Sequence, residues 1–246
     1  MTKPASAMRL DRLLANLGYG SRKQMQTLAR AGRIRLDGAA MRDIEGRVPL
    51  TDDFAARLDI DGEALDPLPG LVLAMHKPAG VTCSHKEAGP LVSGLLPERW
   101  RRRDPAISCV GRLDKETSGL LLMTDDGAWL HRVISPRARV PKRYIATLDR
   151  PLRGDEAALF ASGAMMLDGE DKPLLPARLE PISEREAAVT IEEGRYHQVR
   201  RMFAAVGNHV VALHRAAIGG LALPEDMAAG EFRLLDAAGS AAVLAG

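Results

Sequence analysis

The sequence predicts a mixed α/β (α+β) protein in two domains, a small N-terminal module over residues 8–66 and a larger unit over residues 71–246. Three observations predict it. Apolar residues repeat with a helical period near the N-terminus, and a series of apolar, strand-like runs fills residues 71–246 with shorter helical patterns between them. Between the two lies ALDPLPG, 64–70, whose two prolines and glycine mark a linker. A chain of 246 residues with 46 % apolar composition buries at least one sizeable core.

In LDRLLANLG, Leu10, Leu13, Leu14 and Leu17 fall at i, i+3, i+4, i+7, one apolar stripe that Gly18 stops. Ser21 is suited to cap a second helix, with Met25, Leu28 and Ala29 on its buried side and Gly32 at its end. Arg22, Lys23, Gln26, Arg30 and Arg33 are then left to face water. In RIRLDG, Ile34 and Leu36 share one face of a strand, Arg33 and Arg35 the other, and Asp37-Gly38 is a turn signal.

The larger unit offers LVLAM, ISCV, LLLM, YIATL, AAVTIE and VVAL as strands and helical patterns near 126–134, 154–162 and 195–206. Strands and helices do not alternate strictly, and neither GxGxxG nor GxxxxGK[ST] follows a strand, which disfavours a nucleotide-binding parallel sheet. HExxH and GxSxG are also missing. His197, His209 and His214 are close in sequence but show no Cys or carboxylate partner at metal spacing, so no metal is expected. Cys83 and Cys109 lack CxxC spacing and read as reduced core or loop thiols. No apolar run approaches membrane length and the N-terminus has no signal-peptide core, so the expectation is a cytoplasmic protein with no membrane partner.

Charge is distributed unevenly. Residues 1–42 carry nine Lys or Arg against two Asp, while residues 43–66 carry two Arg against eight acids. Further basic clusters stand at Arg99, Arg101, Arg102, Arg103 and at Arg132, Arg137, Arg139, Lys142, Arg143. Separated patches of one sign suggest a phosphate-tracking surface, with solvated faces as the ordinary alternative. An aromatic content of 4 % argues against a row of base-stacking side chains.

The segment GRLDKETSGLLLMTDDG, 111–127, places Asp114 in a loop bracketed by Gly111 and Gly119 between two strand candidates. From spacing alone it is either a turn former, with Thr117 three positions on, or a presented chemical group. On the wheel of the 195–206 helix, Val199, Met202, Phe203 and Val206 form the apolar stripe and Arg200 lies at its border, from which it can reach a buried carboxylate.

Residues 8–66, through LDRLLANLGYGSRKQ and GRIRLDG, resemble the S4 RNA-binding module; the seven residues before Met8 fall outside that pattern and read as a loose extension or as a start placed too early. HKPAGVTCS at 76–84, the Asp114 segment, KRYIATL at 142–148 and EGRYHQVRRMFAAVGNHVVALHRAAIGGL at 193–221 resemble the pseudouridine synthases, in the branch with an S4 module ahead of the catalytic domain. Within it the C-terminal string is most similar to the enzymes acting on small-subunit (16S) ribosomal RNA, with the large-subunit synthases second. PERWRRRDPA, 97–106, has no counterpart.

The resemblance implies a central mixed, largely antiparallel sheet with an RNA cleft, and isomerisation of uridine to pseudouridine without a cofactor. It implies Asp114 as the catalytic carboxylate, attacking C1′ or removing the 2′ proton, Arg200 as its pairing cation and Tyr144 as the tyrosine against the base. RNA contacts are expected from Arg22, Lys23, Arg30, Arg33, Arg35, Arg112, Arg137, Arg139 and Lys142. Tyr144 and Arg112 both have a structural alternative, core packing on a strand for Tyr144 and an ion pair with a structural acid for Arg112. His76, Lys77 and Pro78 read as architectural. The partner expected is ribosomal RNA in a partly assembled subunit, met by a monomer; a catalytically silent assembly factor is the alternative.

Overall fold

A computed structural model describes residues 7–84 and 87–245. The expected N-terminal extension therefore lies outside the described residues, apart from Ala7. The chain divides into two compact units, one of residues 1–71 with 96–108, the other of residues 72–95 with 109–246.

The first unit runs β1 (Ala7–Arg9), α1 (Leu10–Asn16), α2 (Arg22–Arg30), β2 (Ile34–Leu36), β3 (Ala39–Ala40), β4 (Arg47–Pro49), α3 (Phe54–Arg57), β5 (Leu58–Ile60) and β6 (Glu63–Ala64). The α1 stripe is fully buried at Leu10, Leu13, Leu14 and Leu17, packed with Met25, Ala29, Ile34, Phe54 and Leu58. Ser21 and Gln24 form a reciprocal capping box at α2, which satisfies donors that a helix start leaves open. Asp37 (φ 52) and Gly38 (φ 79) turn β2 into β3, the left-handed pair that a two-residue hairpin requires.

Residues 71–246 were expected as one continuous domain, but 96–108 cluster with the first unit. The reason lies in its arginines. Arg99 pairs with Asp66 at 2.5 Å and stacks 4.3 Å above the Tyr19 ring, while Arg103 donates to the Pro67 carbonyl at 2.9 Å. Arg102 pairs with Glu98. Most of this basic cluster is thus spent on internal contacts, which neither a phosphate-tracking surface nor a solvated face anticipates.

The second unit contains β7 (Val72–Lys77), the short β8 (Ser108–Cys109) at its border, β9 (Thr117–Thr124), α4 (Gly127–Ile134), β10 (Lys142–Leu148) and α5 (Glu156–Ala161). It continues with β11 (Arg178–Ser183), β12 (Glu186–Ile191), α6 (Gln198–Ala205), β13 (Val210–Ile218), β14 (Leu221–Ala222), β15 (Phe232–Leu234) and α7 (Ala237–Ala242). Its sheet runs β11-β12-β10-β13-β9-β7-β15 and is antiparallel except for the β13–β9 pair. The strands missed in the sequence, β11, β14 and β15, are short or peripheral; β11 carries Pro181 and an exposed run, which hides the usual alternation. No helix among the described residues is long and apolar enough to cross a membrane.

Gly119 does not bracket the Asp114 loop but sits inside β9, with φ 109. A Cβ there would stand 2.3 Å from the Arg215 carbonyl oxygen, so glycine is what lets β13 approach in parallel. The register then aligns Gly119 with Arg215 and Arg215 with Tyr144, a row across three strands.

Candidate active site

A cleft of about 400 Å³ opens over this row, within the range of about 300–1,000 Å³ usual for small-ligand sites. Asp114, Tyr144, Arg112, Lys142, Arg195, His197 and Arg215 are among its walls.

Asp114 stands in the turn before β9, where the Thr117 amide donates to its carbonyl at 3.0 Å. The carboxylate itself is not spent on the turn: its Oδ1 lies 3.4 Å from His197 Nε2, and its side chain is one-third exposed to the cleft. The backbone after it is locked by Lys77. This lysine is fully buried, and its Nζ donates to the carbonyls of Pro78, Lys115 and Thr117 at 3.0, 3.1 and 2.7 Å. All three ammonium protons are thereby used, which is how so buried a cation is tolerated. Burial pushes its pKa below the ordinary lysine value. Lys77 is thus architectural, as its sequence setting suggested.

Tyr144 is buried on β10, and Arg215 Nη1 donates to its Oη at 3.3 Å. Arg215, 2 % exposed, also donates from Nε to the Leu120 carbonyl at 2.8 Å, while its Nη2 has no hydrogen-bond partner among the described residues. Sequence reasoning missed Arg215. Its only signal was a charged residue in an apolar strand, at a position where the surrounding run predicts a buried side chain.

Arg200 behaves differently from expectation. It pairs with no carboxylate among the described residues; its guanidinium donates to the carbonyls of Val210 at 2.9 Å and Glu116 at 3.4 Å. The border position on α6 was read correctly, and the apolar stripe is buried at Val199, Met202, Phe203 and Val206. What the wheel did not supply is the neighbour: two backbone carbonyls meet the guanidinium before Asp114 does. Arg200 ties the start of β13 to the segment two residues after Asp114.

His197 was read as a histidine without a carboxylate partner, and the fold supplies one in Asp114. It occupies a left-handed conformation (φ 50), uncommon for a residue with a side chain, just before α6. No group of three or more His, Cys, Asp or Glu among the described residues is arranged to hold a metal ion. Cys83 and Cys109 are free but in contact. Contact with the Cys109 thiol, with the Leu113 backbone and the Lys77 and Arg215 cations nearby, lowers the Cys83 pKa, while contact with Cys83 and burial raise that of Cys109.

The expected RNA contacts divide. Lys142 and Arg112 line the cleft, Lys142 also donating to the Val140 carbonyl at 2.8 Å, and Arg112 makes no ion pair among the described residues. Arg137 and Arg139 are exposed just beyond the lining residues Ser135 and Pro136. Lys23, Arg30 and Arg35 are exposed on the first unit. Arg22 and Arg33 are instead engaged by carboxylates, Arg22 with buried Asp11 at 2.9 Å and Arg33 with Asp61 at 2.6 Å.

A carboxylate and a tyrosine in a cation-lined cleft, in a chain whose first unit exposes Lys23, Arg30 and Arg35, suit an enzyme acting on a polyanion. Residues 71–205 match the RNA pseudouridylate synthase family and residues 8–52 the S4 domain. Ribosomal small subunit pseudouridine synthase A of Escherichia coli (strain K12) is 42 % identical over 232 residues, 93 % of this chain and 96 % of that one. The protein of the same name from Yersinia pestis is 41 % identical over 230 residues, 93 % and 94 % of the two chains. A crystal structure of a pseudouridylate synthase superposes with a TM-score of 0.67 at 34 % identity, covering 96 % of this chain and 99 % of that chain. The chain belongs to the RNA pseudouridylate synthase family, with an S4 domain at its N-terminus.

Proposed function

We propose that this protein isomerises one uridine of small-subunit (16S) ribosomal RNA to pseudouridine, with Asp114 as the catalytic carboxylate and Tyr144 against the base. The observation that carries the substrate is the identity of 41–42 % to small-subunit synthases along 93 % of the chain. The chemistry rests on the cleft that holds Asp114 and Tyr144 together.

The reaction breaks the N1–C1′ bond, turns the uracil and joins C5 to C1′; C5 loses a proton and N1 gains one, so nothing is consumed. Asp114 acts on the ribose, and both routes to the detached base begin with its ionised carboxylate. His197 at 3.4 Å and the backbone lock of Lys77 aim that carboxylate. Arg215 fixes the Tyr144 phenol from behind. Arg200 is a positioning residue, acting through the Glu116 and Val210 carbonyls. A stacked uridine hides C1′, so the nucleotide is extruded at a cost of a few kcal/mol, offset by the pocket and by phosphate contacts. Arg112, Arg137, Arg139 and Lys142 supply those contacts at the cleft, and Lys23, Arg30 and Arg35 on the S4 domain. The setting is a partly assembled subunit in the cytoplasm, and the enzyme acts as a monomer.

Mapping pseudouridines in ribosomal RNA from cells with and without the protein tests the proposal. One small-subunit position is expected to lose its modification, and to regain it with the wild-type chain but not with Asp114→Asn. Loss of a large-subunit position instead would overturn the substrate assignment.

A further inference from the structure

The turn Arg195–His197 presents an aromatic ring that the reaction as derived above does not use. Tyr196 is 72 % exposed, the highest value among the exposed large hydrophobic residues described. Its ring stacks on the His197 imidazole at a centroid distance of 3.8 Å and an interplanar angle of 18°. Arg195 and His197, on either side of it, line the cleft, and Tyr196 does not. The phenol ring thus stands outside the wall, at the mouth, beside the imidazole that reaches Asp114.

The turn is held firmly for a surface feature. Arg195 donates to the carbonyls of Lys172 and Pro173 at 2.7 and 2.6 Å and pairs with Glu170 and Glu193, both at 3.1 Å. The Tyr196 carbonyl accepts from Arg201 Nη1 at 3.2 Å, and Arg201 is itself paired with Glu170 at 2.9 Å. The left-handed His197 adds local backbone strain, which such a network can hold in place. A rigid, exposed ring loses little conformational freedom when something docks on it.

We propose that Tyr196, backed by His197, is a stacking platform for the nucleobase adjoining the extruded uridine. Swinging a uridine out removes a stacking partner from each of its neighbours. A flat aromatic surface at the mouth of the pocket that receives the uridine replaces one of them. The target base itself is not the occupant, because it belongs inside the cleft against Tyr144. Arg137 and Arg139, exposed just past the lining residues Ser135 and Pro136, offer cations to the phosphates of the same strand. Stacking on an aromatic side chain is tolerant of base identity, so the platform sets the register of the strand and not its sequence.

This inference rests on the proposed isomerase activity. The test uses the full chain and a small-subunit RNA fragment spanning the mapped uridine, with Tyr196→Ala, Tyr196→Phe and Tyr196→Trp. Tyr196→Ala is expected to raise KM about tenfold and to leave kcat within about twofold, while Phe and Trp retain the wild-type KM. Fragments with an abasic site on the 5′ or the 3′ side of the uridine provide the second arm. One of them is expected to raise the wild-type KM by a similar factor and to make Tyr196→Ala no worse. A wild-type KM for Tyr196→Ala, or effects of the substitution and of both abasic sites that simply multiply, overturns the platform. A wild-type chain that forms no pseudouridine in any ribosomal RNA overturns the underlying activity instead.

Discussion

His197 Nε2 lies 3.4 Å from Asp114 Oδ1, joining the turn before α6 to the loop before β9 across the mouth of the cleft. The imidazole is the one basic side chain in contact with the carboxylate among the described residues, and a half-exposed contact of this kind is worth about 0.2–1 kcal/mol. His197→Ala is therefore expected to lower kcat by about two- to fivefold in a single-turnover assay, while Asp114→Asn abolishes turnover and retains RNA binding. Unchanged kcat in His197→Ala would show that the carboxylate is aimed by its backbone alone.

Arg200 serves the same loop through main-chain contacts. Arg200→Met leaves the Val210 and Glu116 carbonyls without their donor, at an expected cost of about 1–2 kcal/mol in urea unfolding, with a parallel fall in activity. Arg200→Lys keeps the charge but not the fork, and is expected to recover only part of either. Full recovery by Lys would mean that charge, not geometry, is what the position supplies.

Gly119→Ala places a methyl group 2.3 Å from the Arg215 carbonyl oxygen at a backbone φ of 109, with no flexible side chain to give way. The expected loss is about 3 kcal/mol or more, the sum of overpacking and backbone strain. Because the same strands carry the Arg215–Tyr144 contact, activity should fall with stability. A variant as stable as the wild type would refute the close parallel approach of β9 and β13.

In the S4 domain, Asp11 is fully buried, and Arg9, ahead of Arg22 and Gln26, holds its carboxyl well below the usual value of 3.8. A depressed folded-state pKa stabilises the protein above the unfolded value, and that contribution is lost as pH falls below about 4. The partner side chains Arg9 and Arg22 are 38 % and 50 % exposed and rehydrate when released, so Asp11→Asn should cost about 2 kcal/mol and not the larger penalty of a stranded buried charge. Hydrogen exchange of residues 8–66 between pH 5 and pH 3 checks this. Protection should fall with pH in the wild type and change less in the variant.

The exposed cations of that domain are predicted to act on RNA through phosphates. Replacing Lys23, Arg30 and Arg35 together by Ala should reduce the slope of log affinity against log salt by about 2–3. Arg22 and Arg33, already engaged by Asp11 and Asp61, should alter the slope less and stability more. An unchanged slope in the triple variant would mark those three as solvated charges.

Much of this molecule is local and could be read along the chain. The α1 stripe, the Ser21 cap, the Asp37-Gly38 turn and the buried side of α6 each depend on spacing within one element, and spacing is what a sequence displays. The segments around Asp114 and Tyr144 were likewise recognisable, and both line one cleft. Tertiary structure alone decided which groups meet. Arg200 has a direction on its helix, but whether carbonyls or a carboxylate await it depends on how β9 and β13 approach. Arg215 became the buried cation beneath Tyr144, His197 found Asp114, and residues 96–108 joined the other unit through Arg99. The physical reason is that periodicity fixes where a side chain points relative to its own backbone. Its partner is fixed by the register of strands distant in sequence.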